Sequence, residues 1–251
     1  MPRFFVRSEQ IREDVITLEG DDARHIAYAL RMAAGETIVV CDPQSGEYTC
    51  TLTEFGDGYV RAVIDTVREN STEPPFEAHL FQGLPKGDKL DTIIQKAVEC
   101  GACAVTPFES SRCVAHVKSD AEARKTERRM RIAVEAAKQC GRGCLPTVQE
   151  TVTFERMLDL AADADLVLFC YEGEVPCSLR QVLSDAFASF KAEGKLPRVS
   201  IVIGSEGGFS PQEAAQAEAR GFRLVGLGPR ILRTETAGAF VLGCLVYESE
   251  L

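Results

Sequence analysis

Across residues 1–70 the apolar positions recur with a period near two, as short half-buried strands require. The runs are Arg3–Val6, Val15–Glu19, Thr37–Cys41, Tyr48–Glu54 and Tyr59–Val67, with turn residues at Pro43-Gln44-Ser45-Gly46 and Gly56-Asp57-Gly58. One helix interrupts them over Ala23–Met32, with Asp21 or Asp22 placed to cap it. Several short strands closed around one helix predict a small barrel. The polar stretch Asn70-Ser71-Thr72-Glu73-Pro74-Pro75 then ends this pattern, and dividing the chain there gives domains of residues 1–72 and 73–251.

Beyond the linker, strand and helix patterns alternate. Strands are expected at Ala78–Gly83, Ala104–Phe108, Asp165–Cys170, Arg198–Ile203 and Arg223–Leu227. Helices are expected at Lys89–Cys100, Ala121–Gln139, Thr153–Ala162, Ser178–Ala192, Pro211–Ala219 and Thr236–Tyr247. Near-continuous apolar strands such as Val199-Ser200-Ile201-Val202-Ile203 predict a parallel sheet covered on both faces, hence an α/β domain.

Ligands of such sheets sit beyond the carboxyl ends of the strands, and three of those ends are unusual here. They are Phe169-Cys170-Tyr171-Glu172-Gly173, Ile203-Gly204-Ser205-Glu206-Gly207-Gly208-Phe209-Ser210-Pro211 and Leu227-Gly228-Pro229-Arg230-Ile231-Leu232-Arg233-Thr234-Glu235-Thr236-Ala237. Glycines at 204, 207 and 208 permit close backbone approach to a ligand, and Ser210-Pro211 starts a helix as N-cap and N1. The same residues would also make a plain tight turn. The loop fits neither G-x-G-x-x-G nor the P-loop pattern, and Glu206 would repel a phosphate. A ligand carrying positive charge or ribose hydroxyls suits it better.

Composition narrows the field. The chain of 251 residues is 45% hydrophobic and 26% charged, which fits an ordinary globular protein. It has no run of about 18 apolar residues, and its first residues lack a secretory h-region, so no membrane partner and a cytoplasmic site are expected. The 10 cysteines lie mostly in apolar runs, where thiols behave as small hydrophobes. Cys100-x2-Cys103 and Cys140-x3-Cys144 have zinc-like spacing but stand at helix ends, so no metal is expected.

A net charge of −10 argues against indiscriminate nucleic-acid binding. Yet Arg124, Lys125, Arg128, Arg129, Arg131, Lys138 and Arg142 face only Glu127 and Glu135 within residues 124–142, a local +5. Arg3, Arg7, Arg12, Arg24 and Arg31 add a second basic cluster. Solvated helix faces would explain both; so would a polyanionic partner.

The glycine loop together with Leu227-Gly228-Pro229-Arg230-Ile231-Leu232-Arg233-Thr234-Glu235-Thr236-Ala237 resembles the SPOUT methyltransferases, and within them the ribosomal RNA small subunit methyltransferase E family. Further motifs carry the likeness: Arg3-Phe4-Phe5-Val6, His25-Ile26 with Leu30-Arg31, Lys86-Gly87-Asp88-Lys89-Leu90-Asp91, Ile94-Gln95-Lys96-Ala97, and Glu135–Arg142 with Pro146. Two departures stand out. Ser205 occupies a position often held by Pro, and Ser110-Ser111-Arg112-Cys113 is looser than the usual run, which puts the role of Arg112 in question.

The resemblance implies a PUA-like barrel followed by a parallel sheet tied in a deep trefoil knot. It also implies a homodimer, S-adenosylmethionine as cofactor, and methylation of N3 of a uridine in 16S rRNA, free or within the 30S subunit. The cofactor would be held by Cys170, Tyr171, Glu172, Ile203, Gly204, Ser205, Glu206, Gly207, Gly208, Leu227, Gly228, Ile231, Leu232, Arg233, Thr234, Thr236 and Ala237. Leu227, Ile231 and Leu232 would pack on its adenine.

Losing the uridine N3 proton spreads negative charge onto O2 and O4, which an arginine would stabilise. Arg233 is the candidate, with Arg142 from a partner subunit or domain, and Glu206 and Glu235 are candidate proton acceptors or structural partners. Arg3, Arg7, Arg31, Arg112, Arg128 and Arg131 would contact RNA, and the chosen base would have to leave its stack. His25, His79 and His116 are read as core or surface residues. Two rivals stay open: a doubly wound nucleotide enzyme using the 204–208 turn, and a non-catalytic RNA-binding dimer. Another ribosomal position or tRNA is the alternative target.

Overall fold

A computed structural model describes the chain except residues 44–45, 116–118 and 174–176 and the side chains of 119–121. Part of the expected turn at Pro43–Gly46, and His116, therefore fall outside the described residues. Two compact units result, Met1–Glu73 with Ala137–Leu145, and Pro74–Ala136 with Pro146–Leu251.

In the first unit the alternating segments become β1 (Arg3–Phe5), β3 (Val15–Glu19), β4 (Thr37–Cys41), β5 (Gly46–Gly56) and β6 (Tyr59–Glu69), joined by the two-residue β2 (Ile11–Arg12). Their order in the sheet is β1-β4-β5-β6-β3-β2, with β1 parallel to β4 and the remaining pairs antiparallel. Alternation sends Ile16, Leu18, Ile38, Val40, Leu52 and Val60 inward around Phe4 and Ile26. The β5–β6 hairpin turns at Asp57-Gly58, where Gly58 has φ +79.

The expected helix starts earlier than the aspartates suggested. Helix α1 (Gly20–Arg24) has Glu19 at its N-cap, so Asp21 and Asp22 lie inside the first turn, where carboxylates suit the positive end of the helix. It widens into a π-helical turn over His25–Ala29, and Arg31 beyond it has φ +54.

Among the described residues the second unit has eight parallel strands: β7 (Glu77–Gly83), β8 (Ala102–Glu109), β9 (Thr147–Val148), β10 (Val152–Thr153), β11 (Leu166–Cys170), β12 (Cys177–Ser178), β13 (Arg198–Ile203) and β14 (Arg223–Gly226). The order runs β10-β8-β7-β13-β11-β14-β12, with β9 on β8. Strands β9, β10 and β12 have two residues each, too few to leave a readable period in the sequence.

Helices α2 (Lys89–Glu99), α3 (Ser119–Cys140), α4 (Phe154–Ala161), α5 (Leu179–Glu193), α6 (Pro211–Ala219) and α7 (Thr234–Ser249) complete the second unit, save the last turn of α3. Thr153, Ser178 and Ser210 cap α4, α5 and α6, each accepting a backbone N–H. One core cluster joins Phe81, Phe108, Met157, Phe169, Val202 and Phe209, and their burial contributes to the stability of this unit. The chain is thus α/β, with a parallel sheet following an N-terminal β-rich unit.

Candidate active site

Strands β11, β13 and β14 are neighbours, so parallel pairing brings their carboxyl ends to one edge of the sheet. The loops leaving them enclose a cavity of about 750 Å³. It is lined by Cys170–Gly173, Ile203–Glu206 with Gly208 and Phe209, Gly226–Glu235, Ala237 and Lys89. The three loops selected on sequence therefore meet in one place.

Glycine makes the middle loop feasible. The chain leaves β13, folds so that the Gly208 N–H donates to the Ser205 carbonyl at 2.9 Å, and passes through φ +61 at Gly208. A Cβ on Gly204 would stand 3.0 Å from the Gly208 Cα, so the turn closes only without a side chain there. On the adjacent strand, a Cβ on Gly83 would lie 2.5 Å from the Ser205 nitrogen.

A buried amide ties the loops together. Gln82, fully buried at the end of β7, donates from Nε2 to Thr234 Oγ1 at 2.8 Å, to the Gly83 carbonyl at 3.0 Å and to the Gly204 carbonyl at 3.3 Å. The Thr234 hydroxyl in turn donates to the Gly204 carbonyl at 2.7 Å. Gln82 Oε1 has no partner among the described residues. Sequence reading missed Gln82; its only signal is an amide following the apolar pair Leu80-Phe81 at a strand end.

Ion pairs form a second, more exposed tie. Lys89 Nζ lies 2.8 Å from Glu206 Oε1 and 3.5 Å from Glu235 Oε2. Burial pushes the Glu206 carboxyl up, but the Lys89 ammonium and backbone N–H groups outweigh it, so its pKa sits below the ordinary value. The hydrogen bond to Glu206 is the main cause of a raised Lys89 pKa. Lys89 was not among the expected site residues, although it lies in the Lys86-Gly87-Asp88-Lys89 motif.

Two of the expected cofactor residues do not line the cavity. Gly207 instead faces the loop after β8, where its carbonyl accepts from Arg112 Nη1 at 3.2 Å. Thr236 lies on the exposed side of α7. Arg233 lines the cavity with its side chain 84% exposed. Ile231, expected to pack on a ligand, is 85% exposed on the same loop.

Most of the basic residues counted on the sequence are occupied within their own unit. Arg142 is buried against Glu73, with Nη2 2.6 Å from Oε2, and it does not line the cavity. Arg3 donates to Glu47 at 2.8 Å and to Cys41 Sγ at 2.9 Å. Arg128 grips Asp91 through two hydrogen bonds of 2.6 and 2.9 Å, Arg129 pairs with Glu122, and Arg131 with Glu127. Of the residues behind the local +5, Arg128, Lys138 and Arg142 meet the distant carboxylates Asp91, Asp22 and Glu73, while Arg129 pairs with Glu122 on α3 itself. Arg7, Arg31 and Arg112 stay exposed, as do Arg124 and Lys125, which have no ion pair among the described residues.

The four thiols with zinc-like spacing divide between the units, and no group of three or more His, Cys, Asp or Glu among the described residues is placed to hold a metal. His79 is stacked on Phe81, with Nε2 2.7 Å from Thr106 Oγ1. No helix among the described residues is long and apolar enough to cross a membrane.

Comparison with known proteins matches residues 72–246 to the family described as RNA methyltransferase domain, and residues 18–65 to the RNA methyltransferase PUA domain. A ribosomal RNA small subunit methyltransferase E of Bacillus subtilis is 34% identical over 100% of this chain and 98% of its own. The crystal structure of a protein of the same name from Neisseria gonorrhoeae, bound to S-adenosyl methionine, has a TM-score of 0.81 at 27% identity, covering 98% of this chain and 97% of that one. A Legionella pneumophila structure in complex with S-adenosylmethionine reaches 0.84 at 28% identity, covering 98% and 96%.

Proposed function

Because the chain belongs to the ribosomal RNA small subunit methyltransferase E family, we infer that it methylates N3 of a specific uridine in 16S rRNA, using S-adenosylmethionine. The observation that carries this reading is the single cavity formed by the loops after β11, β13 and β14. Its size falls within the range of small-molecule sites, roughly 300–1,000 Å³.

The lining fits that cofactor. Gly204 and Gly208 leave the main chain bare, Leu227 and Leu232 offer apolar surface to an adenine, and Glu172 and Glu206 suit a cationic ligand. When bound, the cofactor supplies a methyl carbon activated by its bond to a sulfonium. The protein's own task is mainly placement, since holding two reactants in register removes much of the entropic barrier. Arg233 stands at the rim, where its guanidinium suits charge developing on the uracil oxygens.

RNA contacts would come from the exposed Arg7, Arg31, Arg112, Arg124 and Lys125, with a PUA-like RNA-binding domain at residues 1–72 and the catalytic domain at residues 73–251. Two further properties belong to the proposal. After β14 the chain returns across the sheet so that α7 packs on α2, β7 and β13, a path that suits the trefoil knot. Helix α7 also exposes Phe240 and Tyr247 while burying Val241, Leu242 and Leu245 on its other side, which suits a homodimer. A ribosomal substrate also suits a cytoplasmic protein.

The test offers purified protein, labelled S-adenosylmethionine, and either 16S rRNA or 30S subunits from a strain lacking the activity. Label mapped by mass spectrometry to N3 of one uridine is expected, and the better substrate identifies free RNA or subunit. No transfer to either, or transfer to another base, refutes the reading. Sedimentation of the protein and of Phe240→Glu tests the dimer, which the charge should dissociate.

A further inference from the structure

Three carboxylates reach the cavity, and the surroundings of each differ. Glu206 is already occupied: its two oxygens accept the Lys86 N–H at 3.2 and 3.3 Å, and Oε1 also accepts from Lys89. Both of its oxygens are thus tied to the backbone or to Lys89, which leaves it a structural partner of the loop. Glu172 is exposed, beside Gly208. Glu235, in the first turn of α7, lines the cavity, and its Oε2 is buried without accepting any hydrogen bond among the described residues. Two cations flank it: Lys89 Nζ at 3.5 Å from Oε2 and Arg233 Nη1 at 3.9 Å from Oε1.

We propose that Glu235 is the general base that takes the N3 proton of the target uridine, and that Lys89 and Arg233 then hold the charge this creates. This rests on the uridine-N3 reading above. The N3–H bond breaks with its electron pair left on nitrogen and spread onto O2 and O4, an O–H bond forms on Glu235, and that proton later passes to water.

Charge balance explains the arrangement. Before transfer, Lys89 and Arg233 face the Glu235 carboxylate; afterwards that carboxylate is neutral, and the same two cations face the new uracil anion. The field needed in the transition state is thus in place beforehand, with little reorganisation. The other charged groups of the cavity are Glu206, held by Lys89, and Glu172 and Arg230 nearer the rim.

Single-turnover methylation separates this role from simple support of the pocket. RNA carrying uridine or 5-fluorouridine at the target position would be compared, because fluorine withdraws electrons and makes N3–H more acidic. Glu235→Gln is expected to slow the uridine reaction by about 10²–10⁴-fold, the usual contribution of a general base. Its loss should shrink at least tenfold on 5-fluorouridine, while calorimetry shows cofactor affinity within a few-fold of wild type. Glu235→Asp, which keeps the charge but withdraws it, should fall between. Glu206→Gln and Glu172→Gln should lose equally on both RNAs. An equal loss on both RNAs for Glu235→Gln, or a parallel loss of cofactor affinity, overturns the proposal. If the wild-type product carries its methyl group elsewhere than on N3, the underlying reading itself fails, and that result is distinct from either of the others.

Discussion

Replacing Gln82 by Leu separates a packing role from a positioning one. Leucine nearly fills the space of glutamine, so little cavity is left. It removes the Nε2 bonds to Thr234 Oγ1 and the Gly83 and Gly204 carbonyls. Gly204 keeps the Thr234 hydroxyl as donor at 2.7 Å, so only part of this set loses a partner outright. An orphaned buried acceptor costs about 1–3 kcal/mol. Against this, leucine also removes Oε1, which is buried and unpartnered already and carries a penalty of the same size. The two nearly cancel, and unfolding in urea should shift by no more than about 1 kcal/mol.

Binding should respond differently. The amide, together with the Thr234 hydroxyl, fixes the start of α7 against the turn after β13, and both segments line the cavity. Loosening that tie should weaken S-adenosylmethionine binding about tenfold, or ~1.4 kcal/mol, as read by calorimetry on the folded variant. Thr234→Val should weaken binding similarly and add little in the double variant, since both act through one link. A loss of stability above about 3 kcal/mol with unchanged affinity would show that Gln82 only fills the core.

Other consequences can be checked independently. Arg142→Leu leaves Glu73 partly buried without its cation, its side chain being 25% exposed, and should cost about 2–4 kcal/mol in urea unfolding; adding Glu73→Leu should recover part of the loss. Burial lowers the His79 pKa to about 4 from 6.5, so the fold favours the neutral ring. That contribution is complete above about pH 6.5 and is lost as pH falls toward about 4, up to ~3 kcal/mol, so the wild type should lose stability against His79→Leu across that window. Gly83→Ala brings a Cβ to 2.5 Å from the Ser205 nitrogen, which only a backbone shift can relieve; about 1–3 kcal/mol of stability and most cofactor affinity should go, measured by thermal unfolding and calorimetry.

Local pattern was enough to place the long elements and several of their ends. The alternation of Ile16 and Leu18, the apolar run of β13 and the cap at Ser210 are short-range signals, each set by neighbours within a few residues. The three strand-end loops were legible for the same reason, because glycine at 204 and 208 answers a local need for bare or left-handed backbone. The family resemblance supplied the chemistry attached to them.

What lay beyond the sequence is everything decided by meetings across long separations. No periodicity places β13 between β7 and β11, and it is that order which gathers the loops into a cavity. Gln82 and Thr234 are 152 positions apart, so their hydrogen bond has no sequence signature. The basic run at 124–142 was correctly counted, yet its meaning changed once Asp91, Asp22 and Glu73 were found beside it. Charge and polarity belong to single residues and can be read one by one. Whether a lysine is paired or a carboxylate keeps a free oxygen depends on which distant side chain shares its small volume, and only packing settles that.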